Sequence, residues 1–236
     1  MQCRKTHDQH TIQMTYKIKE GEDWVLYRSP VVEHEQEEML RQLGRGYKLF
    51  KETFTGLDSS LRQDGLTLGA LPELFDVEDQ YKKDREHLDN MDTNYSGYRF
   101  YNLFSLTAPS PLFWLLLQDI RTVVRTHLNT DEPLWMQCWV NMHRPNEVLN
   151  WHDHKFDYHG YVSIDPKNSI TKFRDQRGPL YEINNEVGNI YFGPGWERMH
   201  KVCVNEEYEG NRITLGFDIE TRGDLPDDQF SLIPLL

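Results

Sequence analysis

The chain has 236 residues, 38% of them hydrophobic and 12% aromatic, enough to bury a core as one large domain or a domain with an extension. A formal net charge of −12 argues against a broad nucleic-acid-binding surface, and the densest apolar run, "LFWLLL" (112–117), is too short to span a membrane. The first thirteen residues lack the apolar segment of a secretory signal, and three scattered cysteines (Cys3, Cys138, Cys203) make no disulfide framework, so a cytoplasmic globular protein is expected.

In chain order, a strand-like pattern begins at Met14 with "MTYKIKEGEDWVLY". "VVEHEQEEMLRQLGRGYKLFKETF" (31–54) follows as a helix with acidic residues near its start and possible breaks at Gly44 and Gly46. Residues 55–100 are rich in Gly, Asp and Asn around a charged segment, 76–92, which reads as a solvated helix or loop, or as a lid. The clearest helix is "SPLFWLLLQDIRTVVRTHLN" (110–129): Ser110 caps it, Pro111 takes the first helical position, and Phe113, Leu116, Leu117, Ile120, Val123, Val124 and His127 form a stripe suited to packing on a sheet.

After Pro133 the period changes to two. "LWMQCWVNMH" (134–143) puts Leu134, Met136, Cys138, Val140 and Met142 on one face and Trp135, Gln137, Trp139, Asn141 and His143 on the other. Six more short strands follow at 159–165, 170–174, 180–184, 189–193, 199–204 and 212–220, punctuated by Pro, Gly, Asn and Asp clusters. That spacing predicts a sandwich or jelly-roll barrel with an α-rich N-terminal part packed on it.

"NWHDHKFDYHG" (150–160) lies between the first two of these strands. If "NWHDH" is extended, His152 and His154 share a face and Asp153 takes the other, a common way for a strand to hold a metal; the plain alternative is a polar loop. Further on, His200 follows a glycine-rich turn at the start of a strand. Twelve residues later Arg212 and Thr214 share a face with Gly216 and Asp218, opposite Ile213, Leu215, Phe217 and Ile219. An arginine beside a hydroxyl suits a small carboxylate, although a lone Arg212 is more often a surface ion-pair residue.

Taken together, "CWVNMHRPNEVLNWHDH", "HGYVSID", "GNIYFGPGWERMH" and "NRITLGF" resemble the iron(II)- and 2-oxoglutarate-dependent oxygenases, in the style of their small bacterial and phage members. The resemblance covers roughly residues 110–220 and implies an α+β, mainly β chain. A double-stranded β-helix (jelly-roll) core with its preceding helix would occupy 109–236, supported by an N-terminal α-containing extension over 1–108. It implies Fe(II) as metal and 2-oxoglutarate as co-substrate, with His152 and His200 as iron ligands, Arg212 on the distal carboxylate of 2-oxoglutarate and Thr214 assisting. The family pattern has a carboxylate two residues after the first histidine; this chain has His154 there. His154 is the ligand its spacing favours, with Asp153, Asp157 or a water as alternatives.

The implied reaction converts 2-oxoglutarate to succinate and carbon dioxide while hydroxylating a small-molecule or peptide substrate. Gln137, Trp139 and Asn141 line the pocket or contact the N-terminal part. Tyr161 is a candidate pocket residue, Arg174 a contact for an anion or a surface residue, and Cys138 and Cys203 core residues. Two rival readings stand beside this one. A cupin-type metal barrel also uses His-x-His and a later histidine, but its pattern wants a glutamate where this chain offers only Asp157, and it gives Arg212 and Thr214 no role. In a non-catalytic barrel the histidines would be structural.

Overall fold

A computed structural model describes residues 15–54, 102–143, 150–221 and 231–235. The charged segment 76–92, and with it the expected lid, lies outside the described residues, as does Cys3.

Two strands, β1 (Tyr16–Glu20) and β2 (Val25–Arg28), form an antiparallel hairpin that leads into α1 (Pro30–Phe54). The helix runs through Gly44 and Gly46; its irregular backbone is instead at Glu35 (φ −117°, ψ 22°), so the expected glycine break is displaced by two turns and more. A short helix, α2 (Leu103–Leu106), precedes α3 (Pro111–Leu128). In α3 the Ser110 side chain accepts from the Phe113 N–H, Pro111 opens the helix, and Asn129 ends it in the left-handed region (φ 48°). The stripe behaves as its spacing predicts. Phe113, Leu116, Ile120, Val123 and Val124 are buried, and His127 meets the Phe192 ring edge-on at 5.5 Å.

Eight strands follow: β3 (Trp135–His143), β4 (Tyr158–Asp165), β5 (Ser169–Asp175), β6 (Gly178–Asn185), β7 (Asn189–Pro194), β8 (Met199–Val204), β9 (Arg212–Glu220) and β10 (Ile233–Pro234). All the strands expected from the period-two pattern are present. They make a seven-stranded sheet, β1-β2-β7-β4-β9-β3-β10, and a three-stranded sheet, β6-β5-β8, with every pairing antiparallel. β4 lies in the larger sheet, β5 and β6 in the smaller, β7 in the larger, β8 in the smaller and β9 in the larger again. That alternation, with β3 beside β9, is the double-stranded β-helix, or jelly roll.

The two faces of the larger sheet hold different contents. Its outer face (Met136, Cys138, Val140, Val162, Ile164, Ile190, Phe192, Leu215, Phe217 and Ile219) packs against Val32, Met39 and Leu43 of α1 and the α3 stripe. Its inner face looks across to the smaller sheet, where Trp24, Leu26, Tyr161, Phe173, Ile183 and Tyr191 form a separate aromatic cluster. Alternation along β3 and β9 thus sends Met136, Cys138, Val140, Leu215, Phe217 and Ile219 to the helices and Gln137, Arg212, Thr214 and Asp218 to the opposite face. Cys138 is in the core as expected, whereas Cys203 is only half-buried. Among the described residues, no helix is long and apolar enough to cross a membrane.

Candidate metal centre

The segment around His152 makes a single antiparallel bridge to β8 at the edge of the smaller sheet. His152 N–H donates to the His200 carbonyl (3.1 Å), and His200 N–H donates back to the His152 carbonyl (2.8 Å). This bridge sets the two rings beside each other, with centroids 4.2 Å apart. Two residues on, His154 N–H donates to the Gly195 carbonyl (3.2 Å), which turns the His154 ring to the same interior side. Ligand atoms of His152, His154 and His200 all lie within 4.8 Å of one another. Asp153 is exposed, as strand alternation requires, and the Asp157 carboxylate accepts from the N–H (3.1 Å) and hydroxyl (2.5 Å) of Thr221. The histidine at the carboxylate position is therefore the one that faces the other two.

Two further residues join the group. His159 on β4 and Asp218 on β9 are register partners across the larger sheet, and with His154 they form a second group whose ligand atoms lie within 4.8 Å of one another. The His159 ring stacks on His154 (3.8 Å) and lies 4.7 Å from His200. Neither residue was singled out in the sequence, yet the signals were there: Asp218 lies on the Arg212 face of an alternating strand, and His159 is part of the histidine-rich stretch.

Hydrogen bonding sets how these rings are presented. Nδ1 of His152 lies 2.8 Å from the Asn150 carbonyl, Nδ1 of His200 lies 3.5 Å from the Arg198 carbonyl, and Nδ1 of His154 and His159 lie 2.8 and 3.2 Å from Asp218 Oδ1. Each Nδ1 faces an oxygen that can only accept, so each carries the proton and leaves Nε2 with its lone pair. The Nε2 of His154 is buried and has no hydrogen-bond partner. A buried lone pair without a donor is costly in a closed fold and is what a bound cation would use.

Burial, followed by the nearby histidines, holds His200 and His159 well below the ordinary histidine range. Burial and then His154 lower His152 to about 4. Near neutral pH these rings are uncharged, the state a metal requires. An imidazole set with free Nε2 atoms suits a transition metal such as iron rather than the hard, oxygen-seeking Mg²⁺ or Ca²⁺.

Arg212 and Thr214 are buried on the inner face of β9, with Arg212 only 3% exposed, so Arg212 is no surface ion-pair residue. Asp218 lies six positions beyond Arg212, about 20 Å along the strand. Arg212 Nη2 donates to Nδ1 of His143, its register partner on β3, at 2.8 Å. Burial, then the Arg212 charge and then His152 hold His143 well below the usual range.

Between the two ends lie Gly216 and its neighbours Trp139 on β3 and Tyr161 on β4. A Cβ on Gly216 would meet the Trp139 ring at 2.5 Å; its absence lets that ring lie across β9, stacked 5.8 Å from His154. Trp139 Nε1 donates to Asn141 (3.0 Å), and the Tyr161 hydroxyl donates to Asn185 (3.0 Å). Gln137, Trp139 and Asn141 alternate onto one face of β3, and Trp139 and Tyr161 flank Gly216. Arg174 instead lays its guanidinium over the Trp151 ring at 4.3 Å, next to a cleft of about 690 Å³.

No family model matches the chain, and no curated protein matches it. Solved structures do. An oxidoreductase of the 2OG-Fe(II) oxygenase family from Burkholderia pseudomallei is similar at 12% identity over 47% of this chain and 55% of that one, with a TM-score of 0.40. A Pseudomonas putida prolyl-4-hydroxylase is similar at 13% identity over 47% of this chain and 64% of that one, with a TM-score of 0.35. HygX from Streptomyces hygroscopicus, solved with nickel and 2-oxoglutarate bound, is similar at 15% identity over 61% of this chain and 77% of that one, with a TM-score of 0.38. The chain thus spans little more than half of the first of these structures.

Proposed function

We propose that the protein is a non-haem iron(II)- and 2-oxoglutarate-dependent oxygenase that hydroxylates a small-molecule or peptide substrate. The observation that carries the reading is the convergence of His152, His154 and His200, with the orphaned Nε2 of His154, at one end of a jelly-roll interior whose other end holds a buried Arg212. The three Nε2 atoms would hold the metal. Iron there supplies the activation of dioxygen, and the overall change is 2-oxoglutarate, O₂ and R–H to succinate, CO₂ and R–OH.

The other residues have definable tasks. Arg212 presents a fixed fork of N–H donors suited to the distal carboxylate of 2-oxoglutarate, and Thr214 stands two residues along the same face to add a hydroxyl. The His143 contact holds the fork in place. Trp139 and Tyr161, on either side of Gly216, and Phe173 would wall the space between with aromatic rings.

Calorimetry on the iron-loaded protein tests this reading. 2-oxoglutarate binds, and succinate forms slowly without added substrate. Absence of binding by a metal-loaded protein moves it to the metal barrels that use no 2-oxoglutarate, and absence of metal binding returns the histidines to a structural role.

A further inference from the structure

We infer that Asp218 is the carboxylate of this centre, acting from behind His154 as a positioning residue rather than as a ligand. The inference rests on the three-histidine reading of the metal site and extends it.

The chain has a histidine where the resembled pattern puts a carboxylate, so three neutral imidazoles alone would leave the charge of a divalent cation wholly uncompensated inside the barrel. Asp218 lies in the middle of the larger sheet and is fully buried. Among the described residues its ion-pair partners are His154 and His159, both through Oδ1, while its Oδ2 is buried without a hydrogen-bond partner. A carboxylate enclosed in this way is expensive unless positive charge lies close by. The two orphaned buried atoms of the cluster, Asp218 Oδ2 and His154 Nε2, sit on the two residues joined by the 2.8 Å contact. A cation on Nε2 answers both: it fills the imidazole lone pair, and its charge reaches the carboxylate through the ring.

The geometry also fixes direction. With Oδ1 taking the Nδ1 protons of His154 and His159 at 2.8 and 3.2 Å, neither ring can turn Nδ1 to the metal without breaking a bond to a buried charge. His159 stacks face to face with His154 at 3.8 Å and 18°, an arrangement that braces the ligand ring rather than aiming a second lone pair at the same point. Asp218 therefore sets the tautomer, the orientation and the basicity of His154 at once.

Calorimetry with Co(II) on metal-free wild type, Asp218→Asn and His200→Ala tests this. Asp218→Asn should bind about 10–100-fold more weakly, the range typical of losing such a supporting partner. It should also shift the visible Co(II) bands and melt, metal-free, no lower than wild type, since a costly buried charge is gone. Unchanged Co(II) affinity and bands beside a normal loss in His200→Ala overturn the role of Asp218 while leaving the metal site intact. A loss equal to that of His200→Ala makes Asp218 a ligand and overturns the positioning role. Wild type that binds no Co(II) removes both readings. Should Asp218→Asn not fold, long-range ¹H–¹⁵N spectra of the Zn(II)-loaded wild type decide: His154 coordinated through Nε2 with a protonated Nδ1 is expected, and coordination through Nδ1 overturns the inference.

Discussion

At one end of the inner face of β9 Asp218 sits among imidazoles, and at the other Arg212 sits against His143 with Thr214 two residues away. Both ends bury charge, but they resolve it differently. At the arginine end the guanidinium donates through Nη2 to a ring nitrogen that accepts, that ring stays neutral, and the buried Nε is a further donor with no hydrogen-bond acceptor. At the histidine end one lone pair and one carboxylate oxygen have no donor. The buried donors of the first arrangement suit an anion, whereas the buried acceptors of the second suit a cation. The difference is the one the proposed function needs, donors for an anion at one end and acceptors for a metal at the other.

The sharpest way to break this contrast is to remove a histidine from one end. His200→Ala should lower iron affinity by more than the roughly 10–100-fold typical of outer-shell losses, and metal titration of the purified protein reads it. Arg212→Ala should do the reverse. Truncating a buried fork that pairs with a carboxylate costs about 2–5 kcal/mol, or roughly 1.5–3.5 decades of 2-oxoglutarate affinity, with metal content nearly unchanged. If both variants lose metal alike, the two ends are one site.

Acid should separate the ends from the rest of the fold. His143, His152, His159 and His200 are held below the ordinary histidine range, His152 at about 4. In the unfolded chain they take up protons near about 6.5. Protons therefore favour the unfolded chain, and the metal-free protein should lose stability as pH falls from about 6.5 towards 4, read as a falling melting temperature. A flat profile would mean that these rings are already open to water.

Three substitutions test the carboxylate question, and the last of them should have the smallest effect. His154→Ala should cut iron affinity strongly, His154→Asp should retain much of it, and Asp153→Asn, at an exposed position, should stay within about twofold. Asp153→Asn that loses the metal would break the strand alternation on which the assignment depends.

That alternation explains how far the chain could be read. The strands, the α3 stripe and the shared face of Arg212, Thr214, Gly216 and Asp218 follow from period and polarity alone, because one face of each element meets a core. His152 and His154 were legible for the same reason. What was not legible depends on register between distant strands. That His159 lies opposite Asp218, and His143 opposite Arg212, is decided by how β9 slides between β3 and β4, and nothing local in any of the three strands encodes it. The Glu35 irregularity in α1 is likewise invisible beside two glycines that would have been the obvious place to bend.

The pair of backbone hydrogen bonds between His152 and His200 has one more consequence. Two of the three rings of the proposed centre hang from these residues, so the chain cannot part there while a metal joins them. The His152 and His200 amides should then exchange with deuterium more slowly in proportion to metal occupancy, by a factor of about one plus free metal over its dissociation constant. Two main-chain protons would thus gauge occupancy directly, even for a metal with no colour and no spin.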